Sequence, residues 1–399
     1  MEKEFDICCG VDVGKWEHHF TAVDRRTGEV VLDEKVEQSE REIAARLGGL
    51  SAMGKTMVVV DQPGSLASLL IAVADSLGVA RGFITPTAMS RAIDMYGGDL
   101  KTDAHDAFVI AEVGASLPRI VKPIDERQGD RSELSALMSY DRELTVEGTR
   151  ASNRLHDLLL SLHPALERHM SGGKIRSEFN LLLLERYGGP CGLRDAGRRG
   201  VRRWVKSRKG MGSRALAKVD EVFEVLAEQE LEIAGGRSLE GLVKSEAAFL
   251  LATIRSRREV AAKRDAVLAR MPEAQILLSL PGTGPVTCAT FIAEVGDASA
   301  FDSSAKLAAY AGLSPKVRQS GRSVHSITKP RGGNRRLKRV LILSASKSIL
   351  FCEESRAYYE RKRAEGRGYN SAVTALARKR LDVMYAMLRD RRPYERKNG

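Results

Sequence analysis

Strand signals stop at Pro86, and this early stop constrains the fold more than any other feature of the chain. Phe5 to Val13 is apolar and partly β-branched, and Trp16 to Val23 repeats the tendency. Asp24-Arg25-Arg26-Thr27-Gly28 then turns the chain before Glu29 to Leu32, the pattern of a β-meander. Met57 to Val60 is a short buried strand that ends at Asp61 and is broken by Pro63 and Gly64, and Gly82 to Pro86 is another. Helical spacing fills the intervals, at Ile43, Leu47 and Leu50, from Leu66 to Leu77, and from about Asp103 to Val113, where Gly114 stops it. Strands and helices mixed in this way make an α/β domain over residues 1–123.

From 127 to about 270 strand signals are almost absent, while Leu155, Leu159, Leu162 and Leu166 fall at heptad-like intervals on a charged background. The spacing predicts long helices, antiparallel or oligomerising, so residues 124–272 read as a helical coiled-coil region. Within it, about 171–212 is broken by glycines and carries Arg198-Arg199, Arg202-Arg203 and Lys206 to Lys209, which reads as a basic, partly mobile insertion. From Leu277 two apolar helical stretches join through Leu280-Pro281-Gly282-Thr283-Gly284-Pro285-Val286, in the manner of a helix-hairpin-helix. A compact α-helical domain at 273–399 follows, its tail read as one more helix from Leu376, Leu381, Met384 and Leu388.

The 64 Lys and Arg against 52 Asp and Glu leave a formal charge of +12, which favours a polyanionic partner. The five cysteines are odd in number and form no C-x-x-C pair, so neither a disulfide framework nor a zinc module is expected. With Glu2, Glu4 and Asp6 at the start and no run approaching a membrane span, the expected place is the cytoplasm, without a membrane partner.

Four acids stand where strands end or a helix begins. Asp12 closes Gly10-Val11-Asp12-Val13-Gly14-Lys15, Asp61 ends a later strand, and Asp103 and Asp106 are three apart on one helix face. Taken singly, such acids serve turns and helix dipoles. In a ribonuclease-H-like sheet, however, the ends of the first and fourth strands are neighbours and a later helix crosses that edge. All four would then share one cavity. Crowded carboxylates raise one another's pKa unless a cation neutralises them, and hard oxygen donors suit Mg²⁺ or Mn²⁺. His105 falls on another side of the helix, facing solvent or backing the acids at most.

Toward the C-terminus, Lys316-Val317-Arg318-Gln319-Ser320-Gly321-Arg322-Ser323 mixes hydroxyls with cations without apolar periodicity and reads as a loop. From the residues alone Ser320, Ser323 and Ser326 are equal candidates for contact with a phosphate, with Arg318 and Arg322 supplying charge. Gly282 and Gly284 can present backbone N–H groups to a phosphate, or simply turn the chain. Lys329, Arg331, Arg335, Arg336, Lys338 and Arg339 run from a glycine turn into a helix whose other face carries Leu337, Val340 and Leu341, an amphipathic, phosphate-facing arrangement.

Together these stretches resemble the DEDD transposases of bacterial insertion sequences, the insertion-sequence one-ten family, whose N-terminal domain is similar to the junction nuclease RuvC. The likeness rests on Gly10-Val11-Asp12 with Lys15, on Asp61, and on Lys101-Thr102-Asp103-Ala104-His105-Asp106-Ala107. It continues through Leu280 to Gly284, Ala308-Ala309-Tyr310-Ala311-Gly312-Leu313-Ser314-Pro315, Gln319-Ser320-Gly321 and Leu337 to Leu343. The resemblance implies a metal held by Asp12, Asp61, Asp103 and Asp106 and a nucleophilic Ser320 that forms a phosphoserine with DNA. It also implies a structured bridge RNA that pairs with donor and target DNA, assembly as dimers or dimers of dimers, and action at the bacterial nucleoid. Asp61 departs from the usual Glu of the family and has a shorter reach. A junction endonuclease using water as nucleophile is the alternative, and a non-catalytic nucleic-acid scaffold a third reading. Gly10 to Lys15 also resembles the first phosphate loop of actin-like ATPases and sugar kinases, but no second glycine-rich strand accompanies it.

Overall fold

The computed structural model describes residues 5–61, 64–84, 88–89, 92–93, 95, 102–124, 127–296, 298, 301–314, 316–320, 324–328 and 333–395. They form two compact units, 1–132 and 133–399.

In the first unit β1 (Ile7–Asp12), β2 (Glu17–Asp24) and β3 (Val30–Glu37) form an antiparallel meander. β4 (Thr56–Val60) lies parallel to β1 on its other side, β5 (Ala80–Phe83) parallel to β4, and the short β6 (Lys122–Pro123) antiparallel to β5. The order β3-β2-β1-β4-β5-β6 is the ribonuclease-H-like arrangement the sequence predicts, with one added edge strand. Alternation along β1 sends Ile7, Cys9 and Val11 to one face and Cys8, Gly10 and Asp12 to the other. The first face packs with Val58 and Val60 against α1 (Glu40–Met53) and α2 (Ser68–Ser76), through Ile43, Leu47, Leu70 and Val73. The second meets α3 (Asp103–Ser116), where Val109, Ile110 and Val113 cover Cys8, Met57 and Val59.

The second unit is helical apart from one hairpin among its described residues. Its two long helices, α4 (Arg127–Leu162) and α9 (Gly236–Arg270), run antiparallel. Their ion pairs climb one helix while descending the other, from Glu133 with Arg270, to Asp141 with Arg257, to Arg154 with Glu246. Leu155, Leu159 and Leu162, and Leu166 on α5 (Pro164–Met170), are buried in the same core as Val243, Ala247 and Leu250. The heptad-like leucines are therefore buried within the chain's own core.

The basic segment departs from expectation. It folds as α6 (Glu178–Tyr187) and α7 (Pro190–Ser207), kinked at Gly197, followed by α8 (Ser213–Leu226). Leu181, Leu184, Leu193, Val201, Trp204 and Val205 are buried between the arginines, an apolar stripe that the glycines and charge runs obscure in the sequence. The C-terminal part comprises α10 (Pro272–Leu278), α11 (Pro285–Val295), α12 (Ser304–Tyr310) and the antiparallel pair β7 (Lys316–Ser320) with β8 (Val324–Thr328). Then come α13 (Arg335–Phe351), α14 (Glu353–Ala364) and α15 (Tyr369–Asp390). The tail is thus two helices instead of one, because α14 buries almost nothing apolar and shows no periodicity. No helix among the described residues is long and apolar enough to cross a membrane.

Candidate active site

The site is built by two glycines. A Cβ on Gly10 would lie 2.3 Å from the Ala111 nitrogen and 2.4 Å from the Ala107 carbonyl oxygen, so α3 rests directly on β1 and only hydrogen fits between them. A Cβ on Gly114 would stand 2.5 Å from Cys8 Sγ. Gly114 therefore lies over Cys8, and Ala107 with Ala111 over Gly10, so the helix runs against the strand. Its first turn, bearing Asp103 and Asp106, comes down beside Asp12. Asp61 arrives by register: Val11 pairs with Val60 across parallel β1 and β4, so Asp12, the last residue of β1, and Asp61, just past the end of β4, each follow a member of that pair. Thr102 starts α3, its hydroxyl accepting from the His105 N–H, and acids in such a first turn are also favoured by the helix dipole.

The electrostatics report the gathering. Asp12 is raised from its ordinary 3.8 to about 6, first by burial and then by the charges of Asp103, Asp61 and Asp106, with His19 pulling the other way. The carboxylates of Asp103, Asp61 and Asp106 all act on Asp12. Among the described residues no three His, Cys, Asp or Glu side chains close to metal-ligand geometry. The four side chains offer only oxygen donors, the kind that suits a hard divalent cation.

Two neighbours are not legible in the sequence. His19 faces Asp12 across the β1–β2 ladder. Its Nε2 lies 2.9 Å from Asp33 Oδ1, which also accepts from Thr21 Oγ1 at 2.9 Å. The only signal is the meander itself, and its register depends on a four-residue connection whose pairing the sequence does not specify. His105, expected to face solvent or to back the acids at most, is half-buried, its Nε2 enclosed without a hydrogen-bond partner among the described residues. The phosphate-loop likeness of Gly10 to Lys15 has a packing cause: Gly10 is occupied by α3, and a Cβ on Gly14 would lie 2.1 Å from the Glu17 carbonyl oxygen in the strand-to-strand turn.

In the second unit Ser320 ends β7 and pairs with Val324, so the expected loop is a hairpin. Val317, Val324, Ile327 and Thr328 supply its β-branched residues. Arg318 lies on the same strand, whereas Arg322, Lys329 and Arg331 fall outside the described residues. Asn334 caps α13, accepting from the Arg336 and Leu337 N–H groups. Leu337, Val340 and Leu341 turn inward, leaving Arg335, Arg336 and Arg339 exposed and Lys338 half-buried. Arg336 meets Glu294 at 3.2 Å, a partner the local sequence conceals. Gly282 takes φ +81°, and a Cβ there would come within 2.9 Å of the Ser348 backbone. The buried Arg380 donates to Pro281 O at 2.7 Å and to Ser344 Oγ at 3.0 Å. Packing thus shapes this turn at Gly282, while Gly284 is exposed.

The two halves match known proteins separately and together. A family model for DEDD transposases of the IS110 type covers residues 9–164, which include all four acids. A model described as "Transposase IS116/IS110/IS902 family" covers 274–360, which include Ser320. Over 394 residues, 98% of this chain and 96% of the relative, the sequence is 38% identical to an uncharacterized 43.6 kDa protein of insertion element IS110 from Streptomyces coelicolor. The chain belongs to the IS110 family of transposases. The transposase is also 32% identical over 386 residues to an uncharacterized 44.8 kDa protein of insertion element IS116 from Streptomyces clavuligerus, covering 97% of this chain and 95% of that one. Among solved structures, RuvC of T. thermophilus in complex with a Holliday junction substrate covers 30% of this chain and 99% of its own, at 17% identity and a TM-score of 0.25.

Proposed function

We propose that this transposase cuts and rejoins DNA strands using Asp12, Asp61, Asp103 and Asp106 to hold Mg²⁺ or Mn²⁺ and Ser320 as the nucleophile. The observation that carries the reading is geometric: the β1–β4 register and the close seat of α3 on Gly10 bring acids from three distant stretches to one sheet edge, where burial and the charges of the other three raise Asp12. When bound, the cation supplies charge neutralisation at the phosphate and lowers the cost of ionising an attacking oxygen. The chain's own contribution is position. The β1–β4 register fixes Asp12 beside Asp61, the Gly10 contact fixes Asp103 and Asp106 above them, and His19, itself held by Asp33, partly offsets the negative charge on Asp12.

Serine is a weak nucleophile until its proton is removed. As Ser320 Oγ loses that proton and bonds to phosphorus, one DNA P–O bond breaks and the departing oxygen takes up a proton. The phosphoserine conserves the linkage, so reversal of the step on a new strand end reseals DNA without ATP. The net charge of +12 and the cations of α13 support contact with nucleic-acid backbones. By the family resemblance a bridge RNA selects donor and target through base pairing while the protein reads backbone and shape, and the active assembly is a dimer or dimer of dimers.

The test incubates the transposase and its Ser320→Ala variant with element-end DNA, Mg²⁺ and co-purified RNA, and resolves protein–DNA adducts on denaturing gels. A covalent adduct in the wild type that vanishes in the variant supports the reading. Free nicks without an adduct in either protein would establish water as the nucleophile.

A further inference from the structure

The segment between the two family-defining stretches holds an open groove of about 740 Å³, walled by α6, by the turn at 208–212 and by the start of α8. Arg208, Lys209, Arg214 and Lys218 line it, all exposed, and among the described residues none of the four has an acidic partner. The one acid on the wall, Glu178, is already engaged by Arg255 at 3.7 Å and Arg258 at 3.2 Å. Clustered cations of one sign repel, and an anion bound among them relieves that repulsion.

The helix geometry points the same way. The fourteen-residue α8 opens on Gly212 with no side-chain cap and no acid in its first turn, and it carries Arg214 there instead. Cations at a helix N-terminus oppose its dipole, and an anion at the same place satisfies both the dipole and the cations. The groove is also partly apolar: Phe179, Leu182 and Met211 form part of its lining, with Lys218 held 5.6 Å from the Phe179 ring. A free phosphate would use the cations and leave this lining idle. A duplex hides its base faces. An unpaired strand offers a phosphodiester for the cations and a base for the apolar surface.

We infer that this groove seats an unpaired nucleic-acid strand, a binding site separate from the acid cluster and from Ser320. It is formed by residues 178–218 with Arg255, outside the matched family segments.

The test replaces Arg208, Lys209, Arg214 and Lys218 with alanine together in the full-length transposase. Fluorescence anisotropy then measures binding of a uridine-rich 12-mer RNA, the matching DNA 12-mer and a 12-bp duplex across a salt series. All four side chains are exposed, so the fold is expected to survive, as a melting curve verifies. Single-strand affinity should drop roughly tenfold or more, and the slope of log K against log salt should shrink by about 3, near 0.7 for each phosphate left without its cation. Duplex affinity should hardly change. Equal loss for RNA and DNA assigns the site to backbone and base face, and loss for RNA alone assigns it to RNA. Unchanged single-strand binding, or a duplex loss as large as the single-strand loss, overturns the inference. A 4-thiouridine RNA should crosslink to the peptide spanning 208–218. Neither measurement requires cleavage, so failure here leaves the metal and serine chemistry standing, and failure there leaves this groove standing.

Discussion

Replacing Asp12 by Asn should stabilise the metal-free transposase while abolishing its chemistry. Burial and three neighbouring carboxylates lift Asp12 from 3.8 to about 6. At 1.4 kcal/mol per tenfold a rise of that size corresponds to about 3 kcal/mol. Asp12 keeps contact with solvent, and screening lowers the stability effect to about 1–2 kcal/mol. The sign follows from the direction of the shift. Below pH 3.8 the group is protonated whether the chain is folded or not, and the aspartate costs nothing. Between 3.8 and about 6 the unfolded chain ionises first, and above about 6 the folded state bears the full cost. A neutral amide at this position would avoid that cost, so the advantage of Asp12→Asn in urea unfolding with EDTA should be greatest above pH 6 and should fade as pH drops toward 4. Millimolar Mg²⁺ should then reverse the order, because a cation bound only by the folded form adds RT ln(1 + [L]/Kd) to the wild type and little to the variant. An Asp12→Asn variant no more stable than wild type at pH 8 in EDTA, or a difference between them that ignores pH, would refute the electrostatic coupling of the four acids.

Three further perturbations separate seat from chemistry. Gly10→Ala puts a methyl 2.3 Å from the Ala111 backbone and 2.4 Å from that of Ala107, neither of which can yield without lifting α3. It should cost about 2–3 kcal/mol and remove cleavage although every acid remains, measured by unfolding and by strand-cleavage assay on the folded fraction. Mg²⁺ affinity should weaken progressively as pH falls through about 6, with Asp12 taking up the proton that binding must displace, as calorimetry in buffers of different ionisation heat detects. Gly282→Ala meets both a φ of +81° and the Ser348 backbone at 2.9 Å. It should destabilise the second unit by about 2–3 kcal/mol, read as a lowered urea midpoint with Mg²⁺ binding unchanged.

The acids are legible in the sequence because each one interrupts an apolar pattern at a place where the chain must change direction. Asp12 follows an apolar, partly β-branched run, Asp61 follows three valines, and Asp103 follows a capping threonine, so strand ends and a helix start can be read without any tertiary knowledge. His19 cannot, because its position opposite Asp12 depends on how β2 pairs after a short turn. The hairpin at 316–328 escapes because five-residue strands carrying several cations show too little alternation to distinguish from a loop. Helix α7 escapes for a different reason: Leu193, Val201, Trp204 and Val205 form a buried stripe, but Gly197 breaks its phase and the arginines outnumber it. The engagement of Arg336 by Glu294 lies 42 residues away in sequence, beyond any local pattern.

The placement of the acids also explains why residues without chemistry belong to the site. Asp103 and Asp106 reach Asp12 only because Ala107 and Ala111, one and two turns further along the same stripe, are small enough to rest on a strand that presents Gly10. Repulsion among the carboxylates pushes the helix start away from the strand end, and apolar burial of Val109, Ile110 and Val113 pulls the rest of the helix down. The second force must win for the acids to stay together. At roughly 25 cal/mol per Å² of buried apolar surface, three such side chains contribute several kcal/mol, more than the ~1–2 kcal/mol that ionised Asp12 costs. The strained end of the helix is therefore held by its unstrained end. Truncating Ile110 to Ala should loosen the acids before it unfolds the sheet, lowering Mg²⁺ affinity in a variant whose strands remain protected from hydrogen exchange. If Mg²⁺ affinity survives while sheet protection is lost, the acids are anchored by something other than this helix seat.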